Sequence, residues 1–293
     1  MNSAFASYHP IINFTYFLGI IFFTMFFMHP FLLVISLTAA FIYSLWLGGR
    51  KAFKFNLVFL LPMLFIVALI NPLFNHEGAT ILFYLRENPI TRESIIYGIA
   101  SAVMFVSVIL WFSCYNKIMT SDKFMYVFGR LIPALSLIIS MVLRFVPMFK
   151  AQLNVISAGQ KAIGRDVSQG NLLDKAKNGL KILSILITWA LENAIETADS
   201  MRARGYGLKG RTSFSLFRFD ARDKALLVLM LLCIAVVMLG AFLGKTTIDY
   251  FPLFVMGELS SFSITAYVVY VLFAFLPLIL DVVEELKWQS LKA

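Results

Sequence analysis

Charge is what this sequence of 293 residues has least of: Asp, Glu, Lys and Arg together make up 14% of it, against 60% hydrophobic residues. A soluble domain does not reach that apolar share, so the composition places the chain in the membrane class before any motif is read. Cysteine is nearly absent. Cys114 and Cys233 both lie in apolar runs and read as small buried hydrophobes, which excludes a disulfide framework. The three histidines, His9, His29 and His76, are scattered and have no Cys or carboxylate at ligand spacing, so no metal site is expected. No nucleophile, base and acid stand together, and Asp281, Glu284 and Glu285 read as a solvated helix end rather than paired catalytic carboxylates. The stretch Gly240-Ala-Phe-Leu-Gly244-Lys245-Thr246 has three residues between its glycines where a phosphate loop needs four, and Leu239 fills the required position. It also follows no strand. The chain is therefore expected to be neither an enzyme nor an ATP binder, with no cofactor of its own. A basic n-region and a small-residue cleavage site are missing at the start, so the first apolar run is expected to stay as a span.

What the sequence does have is long apolar runs. A span needs about 20 mostly apolar residues. Ile11 to Met28, Phe31 to Leu47, Asn56 to Phe74 and Ser94 to Tyr115 qualify, as do Ala225 to Leu243 and Phe262 to Leu280. The expected fold is an all-α polytopic membrane protein with about six spans, four and then two. They flank a region of long amphipathic helices, which gives three parts at residues 1–115, 116–223 and 224–293. Arg50, Lys51 and Lys54 after Gly48-Gly49 mark one connection as cytoplasmic, which places the N-terminus inside. The mixed stretch from Asn75 to Glu93, nearly balanced through Glu87, Arg92 and Glu93, is then outside, and the C-terminus is inside.

The basic residues are gathered in the middle. Between Tyr115 and Arg222 there are 16 Lys and Arg against 7 Asp and Glu, a surplus equal to the net charge of +9. Such clustering suits a cytoplasmic segment facing anionic lipid or an acidic partner. Two further apolar runs lie here, Leu131 to Phe149 and Leu180 to Leu191. Passing both through the bilayer would put Lys161, Arg165, Lys175 and Lys177 outside, so the expectation is that neither crosses completely. Arg144 interrupts the first run, and Pro147 is expected to kink or end it.

A shorter helix from Lys150 to Ile163 should follow, stopping at Gly164 with Arg165 next. A helix from Asn171 to Ala203, about 45 Å long at 1.5 Å per residue, carries the second run. Asn171 is its N-cap candidate, with Asp174 in the first turn. Asp174, Lys177, Lys181, Ser184, Thr188, Glu192, Glu196 and Asp199 recur at steps of three and four in one polar stripe. The rest of the surface is apolar and suits packing among membrane-edge helices. Arg202 and Arg204 sit at the end, where the helix dipole favours cations, and Gly205 or Gly207 can terminate it.

On spacing alone, arginines at such helix ends read as dipole partners and lipid-headgroup anchors. The stretch Ser200-Met201-Arg202-Ala203-Arg204-Gly205-Tyr206-Gly207 resembles the signature of the transmembrane T component of energy-coupling factor (ECF) transporters, which take up vitamins and metal ions in bacteria and archaea. Leu143-Arg144-Phe145-Val146-Pro147, and Gln160-Lys161-Ala162 beyond it, resemble the same family, as does the order of spans and helices. The resemblance implies two coupling helices ending in Ala-Arg-Gly-like motifs that dock into a pair of ATP-binding subunits, which hold the ATP and Mg. It also implies that the membrane part holds a small substrate-binding S component, in which cargo specificity lies. Lipid and these subunits are the implied partners, with no nucleic acid, and the implied location is the cell membrane. Carried over by position, the second motif is Ala203-Arg204-Gly205. The first reads Ala162-Ile163-Gly164, with Ile where Arg is usual, and Arg165 or Lys161 stands in for it from a shifted register. Two other classes compete. A self-sufficient secondary transporter predicts ionisable residues at mid-span and internal repeats, and an intramembrane enzyme predicts facing His or acidic residues. The six runs carry essentially none of these.

Overall fold

Prolines and small polar residues set the helix starts. Pro10 opens α2 (Pro10–Phe26) and Pro30 opens α3 (Pro30–Phe55), at the first position, where a missing N–H costs nothing. Thr91 caps α5 (Arg92–Ile118) by accepting from the Ser94 amide at 3.2 Å. A computed structural model describes residues 3–85, 88–131, 133–165, 171–208, 217–244, 246–256 and 260–292. Glu87 and Lys245 lie outside the described residues. The other elements are α1 (Ala4–Ser7), a π-helical turn (Asn56–Leu60), α4 (Leu61–Phe74), α6 (Ser121–Leu131), α7 (Pro133–Ala162), α8 (Leu172–Ala203), α9 (Ala221–Phe242) and α10 (Ser261–Lys292). Two antiparallel hairpins, β1 (Ile81–Leu85) with β2 (Asn88–Thr91) and β3 (Ile248–Asp249) with β4 (Val255–Met256), close the connections before α5 and α10.

Among the described residues, five helical segments are by length and composition sufficient to cross a membrane: Pro30–Phe74, Arg92–Ile118, Leu137–Ala162, Ala221–Phe242 and Ser261–Leu291, with Pro10–Phe26 a shorter apolar helix. The segment Pro30–Phe74 is two expected spans joined by a single residue. Gly49 takes φ 54°, ψ −141° inside otherwise helical backbone, a conformation open to glycine. Twelve residues of straight helix would separate Ser44 from Asn56 by about 18 Å. Instead Asn56 Nδ2 donates to Ser44 Oγ at 3.3 Å, so the chain doubles back at Gly49. No loop is needed there.

The chain divides into two units, one formed by Met1–Val127 with Phe217–Ala293 and one by Phe128–Leu216. The first has a core of aromatic side chains from α2, α3, α5 and α10. Tyr16, Tyr43, Trp111, Tyr270 and Phe273 are all fully buried, with Trp111 edge-on to Tyr16 at 5.9 Å between ring centroids. A directional hydrogen-bond chain ties three helices at its centre. Trp111 Nε1 donates to Ser36 Oγ (2.9 Å), Ser36 bonds Thr24 Oγ1 (2.7 Å), and Thr24 donates to the Ile20 carbonyl (2.7 Å). Every donor in the chain meets an acceptor, which apolar surroundings require. Cys114 and Cys233 are buried free thiols.

α5 packs against α4 at Gly98. Pro72 lies inside α4 and lacks an N–H, so the Ala68 carbonyl one turn back has no intrahelical donor. That carbonyl faces Gly98, where an added Cβ would lie 2.8 Å from it and 3.1 Å from Asn71 Cβ and Pro72 Cδ. Gly98→Val is expected to force the helices apart and lose about 1–3 kcal/mol. A lower apparent Tm of the detergent-purified variant checks it; an unchanged Tm would mean that α4 gives way freely.

Asp281 differs from the sequence expectation. It is buried, not solvated, and its carboxylate accepts from Ser3 Oγ (2.9 and 2.8 Å) and from the Phe5 amide (2.8 Å). The donors come from the opposite end of the chain, which is why no local pattern announced them.

Candidate functional site

The two arginine-bearing helix ends belong to the second unit. α7 is one helix of 30 residues, so the expected break at Pro147 and the separate helix from Lys150 are corrected: Arg144 and Pro147 both lie exposed within it. Proline removes one N–H and disfavours helix at the residue before it, yet helices on both sides keep the turn in place. α8 begins where the sequence placed it, with Asn171 as N-cap and its side chain accepting from the Leu172 amide at 2.9 Å.

Phe145 stacks parallel on Phe149 at 5.9 Å, and Phe149 meets Trp189 of α8 edge-on at 5.7 Å. The aromatic contact joins α7 to α8 near the middle of each. From Phe149 to Ala162 is 13 residues and from Trp189 to Ala203 is 14, so each helix runs about 20 Å from the contact to its end. Both distal arms are free of proline, since Pro147 lies just before the contact. They are stiff arms of nearly equal length.

Both arms stop in the same way. In α7 the Gly164 amide donates to the Lys161 carbonyl (3.0 Å) and the Arg165 amide to the Gln160 carbonyl (2.9 Å), with Gly164 at φ 79°. In α8 the Gly205 amide donates to the Arg202 carbonyl (2.9 Å) and the Tyr206 amide to the Met201 carbonyl (3.0 Å), with Gly205 at φ 77°. Each is a complete Schellman motif, in which a left-handed residue lets two amides turn back onto the last helical carbonyls. Of the two glycines offered as stops for α8, Gly205 is the one that terminates it; Gly207, also at positive φ (90°), lies beyond the cap.

Matching the caps position by position pairs Ala162 with Ala203, Ile163 with Arg204, Gly164 with Gly205, Lys161 with Arg202, and Arg165 with Tyr206. Ile163 therefore occupies the C-cap position that Arg204 has in α8. Arg165 lies two positions farther on, and its approach to any shared partner differs from that of Arg204. Ile163, Arg165, Arg202, Arg204 and Tyr206 are exposed, while Gln160 is half-buried with its Oε1 shielded from solvent.

The apolar surface of α8 was expected to be packed among neighbouring helices. Within the chain it is largely uncovered: Ile182 is its one buried residue among those described, and Leu180, Leu183, Ile187, Leu191 and Ile195 are exposed. Helical periodicity reports which residues share a face, not whether the same chain covers it. The Phe149–Trp189 contact escaped sequence reasoning because pairing between distant aromatic residues leaves no local signal.

The family model for the cobalt transport protein CbiQ matches residues 9–214. The chain is 30% identical over 210 residues to the energy-coupling factor transporter transmembrane protein EcfT of Listeria innocua, covering 67% of this chain and 79% of that protein. The EcfT of Staphylococcus aureus is 26% identical over 219 residues, 69% of this chain and 81% of its own length. The EcfT of Bacillus selenitireducens is 36% identical over 111 residues, and the match spans 38% of this chain and 41% of that relative.

Proposed function

The chain belongs to the cobalt transport protein family, CbiQ, as a T component of energy-coupling factor transporters, and from that footing we propose that it couples ATP hydrolysis in a pair of partner ATPases to cargo uptake through an S component. The observation that carries the proposal is the duplicated cap. Two stiff arms of matched length leave one aromatic contact, and each presents an exposed C-cap side chain on a glycine turn. In this reading the arms end on the cytoplasmic side, with the N- and C-termini on the same side, in a bacterial or archaeal cell membrane. Closing of the ATPases on bound ATP and Mg pushes both arm ends together. The motion passes through the Phe149–Trp189 contact, and the uncovered apolar face of α8 is where the S component and lipid lie. The chain itself performs no chemistry.

An arginine fork suits the end of such an arm. It pairs bidentately with a carboxylate and stays charged when desolvated, and the adjoining glycine admits a close backbone approach. Purification of the tagged protein in mild detergent tests the proposal: ATP-binding subunits should co-purify, and their absence under conditions that keep the protein monodisperse would defeat it.

The α7 end, which carries Ile163 at its cap, makes the weaker of the two contacts in this reading. Arg165 supplies its charge from outside the cap, so Arg165→Ala is expected to lower ATPase association about tenfold, while Ile163→Arg leaves it unchanged or strengthens it. Pull-down titration of the ATPases reads both. Unchanged association in Arg165→Ala would remove Arg165 from the contact.

A further inference from the structure

We propose that His9 is a positioning residue for coupling: it clasps together the two points at which the chain passes between the spanning helices and the 128–216 region. The inference rests on the reading that this region carries ATPase motion.

His9 is buried at the N-terminus of α2. Its Nδ1 accepts from the Ile11 amide at 3.3 Å, so that nitrogen carries no proton and the proton of the neutral ring sits on Nε2. Nε2 then donates to the Tyr126 hydroxyl at 3.2 Å. The ring stands edge-on to Tyr126 at 5.2 Å, to Phe219 at 4.7 Å and to Phe217 at 6.4 Å, and Tyr126 and Phe217 are themselves 5.0 Å apart. Tyr126 is two residues before the region begins at Phe128, and Phe217 is the first residue after it ends at Leu216. Entry and exit of the region thus meet on one imidazole.

The clasp is fastened to the spans from both sides. The His9 amide donates to Asp223 Oδ1 (3.4 Å), and Asp223 Oδ2 accepts from the Asp220 amide (3.1 Å) in the capping box of α9. One turn before Tyr126 on α6, Lys123 donates to the carbonyls of Ala6 and Ile118, and the Asn13 side-chain oxygen accepts from it at 2.9 Å. Burial pushes the Lys123 ammonium below its ordinary pKa, and these three acceptors offset the lost hydration. A segment driven at its far end delivers displacement to the spans only if its base is held. Two independently moving strands would absorb the push.

The test uses the complex of this chain with its ATPases and S component in proteoliposomes. His9→Ala is expected to keep ATP hydrolysis within about twofold of wild type while uptake per assembled complex falls about tenfold. Tyr126→Phe, which keeps the ring contacts and loses the hydroxyl, should give a smaller loss of the same kind. His9→Asn still caps α2 but lacks the ring, and should resemble His9→Ala. Wild-type uptake per complex in His9→Ala, or full rescue by His9→Asn, would overturn the proposal and leave His9 a helix cap. Amide hydrogen exchange on this chain alone gives an independent reading. His9→Ala should speed exchange at 121–127 and 217–224 together, and acceleration of one segment without the other would also overturn it. A wild-type chain that binds no ATPase would count against the transporter reading alone.

Discussion

Arg204→Glu is expected to abolish both ATPase association and uptake without disturbing the helix that carries it. Arg204 is the C-cap of α8, at φ −82° and ψ 7°, and the Schellman bonds around it use backbone atoms only. Any L-residue is tolerated at that conformation, so the cap survives the substitution. What changes is the charge presented at the arm end. With the arginine gone, the partner carboxylate it would pair with is left uncompensated in the groove, which costs about 3–5 kcal/mol, a loss of roughly two to four orders of magnitude in affinity. Arg204→Lys keeps the charge and loses the fork, and should give an intermediate result. Gly205→Ala forms the necessary control on geometry. Its left-handed backbone disfavours a side chain, and an added Cβ would lie 3.0 Å from Leu208 Cδ1, so the cap itself is strained. Uptake by Arg204→Glu at the wild-type rate, with expression matched, would remove the coupling role from this residue.

Trp111→Ala is expected to produce the largest loss of stability, about 3–5 kcal/mol, because it empties the centre of the bundle. Lipid tails are as apolar as the core, so little of that loss comes from transfer out of water. It comes from dispersion contacts with Tyr16 and Phe17 that no neighbour can replace. The indole N–H also begins the chain through Ser36 and Thr24, so Trp111→Phe should keep most of the packing and lose about 1 kcal/mol. Apparent Tm in detergent ranks the two. Equal Tm for Trp111→Ala and Trp111→Phe would show that packing at this centre matters less than its hydrogen bond.

The helical class and the apolar runs were legible from local composition, because a bilayer requires long apolar helices whose backbone groups are satisfied internally. The ends of α8 were legible for the same kind of reason. Asn171 and Gly205 act on amides and carbonyls within a turn of themselves, and the chemistry of a cap is written in consecutive residues. Pro147 misled for a related reason: its local effect is to weaken a helix, but it sits between two strong helical segments and against the Phe149–Trp189 contact, which hold it straight enough to continue. The connection marked by Arg50, Lys51 and Lys54 turns at one residue, Gly49, whose backbone reverses the chain inside otherwise helical structure.

By itself, then, the sequence determined the helical class, most of the apolar runs, the N-cap at Asn171 and the stop at Gly164, since each depends on interactions reaching no farther than a helical turn or on bulk apolarity, while the contrast between Ile163 and Arg204 came from the family resemblance. Tertiary structure alone decided the arm lengths measured from Phe149 and Trp189, the burial of Asp281 by Ser3 and Phe5, and the meeting of Tyr126 and Phe217 on His9. Those pairs are separated by 40 to 278 positions in the chain. Contacts over such separations are chosen by which helices pack together, and that choice leaves no periodic trace in any single segment.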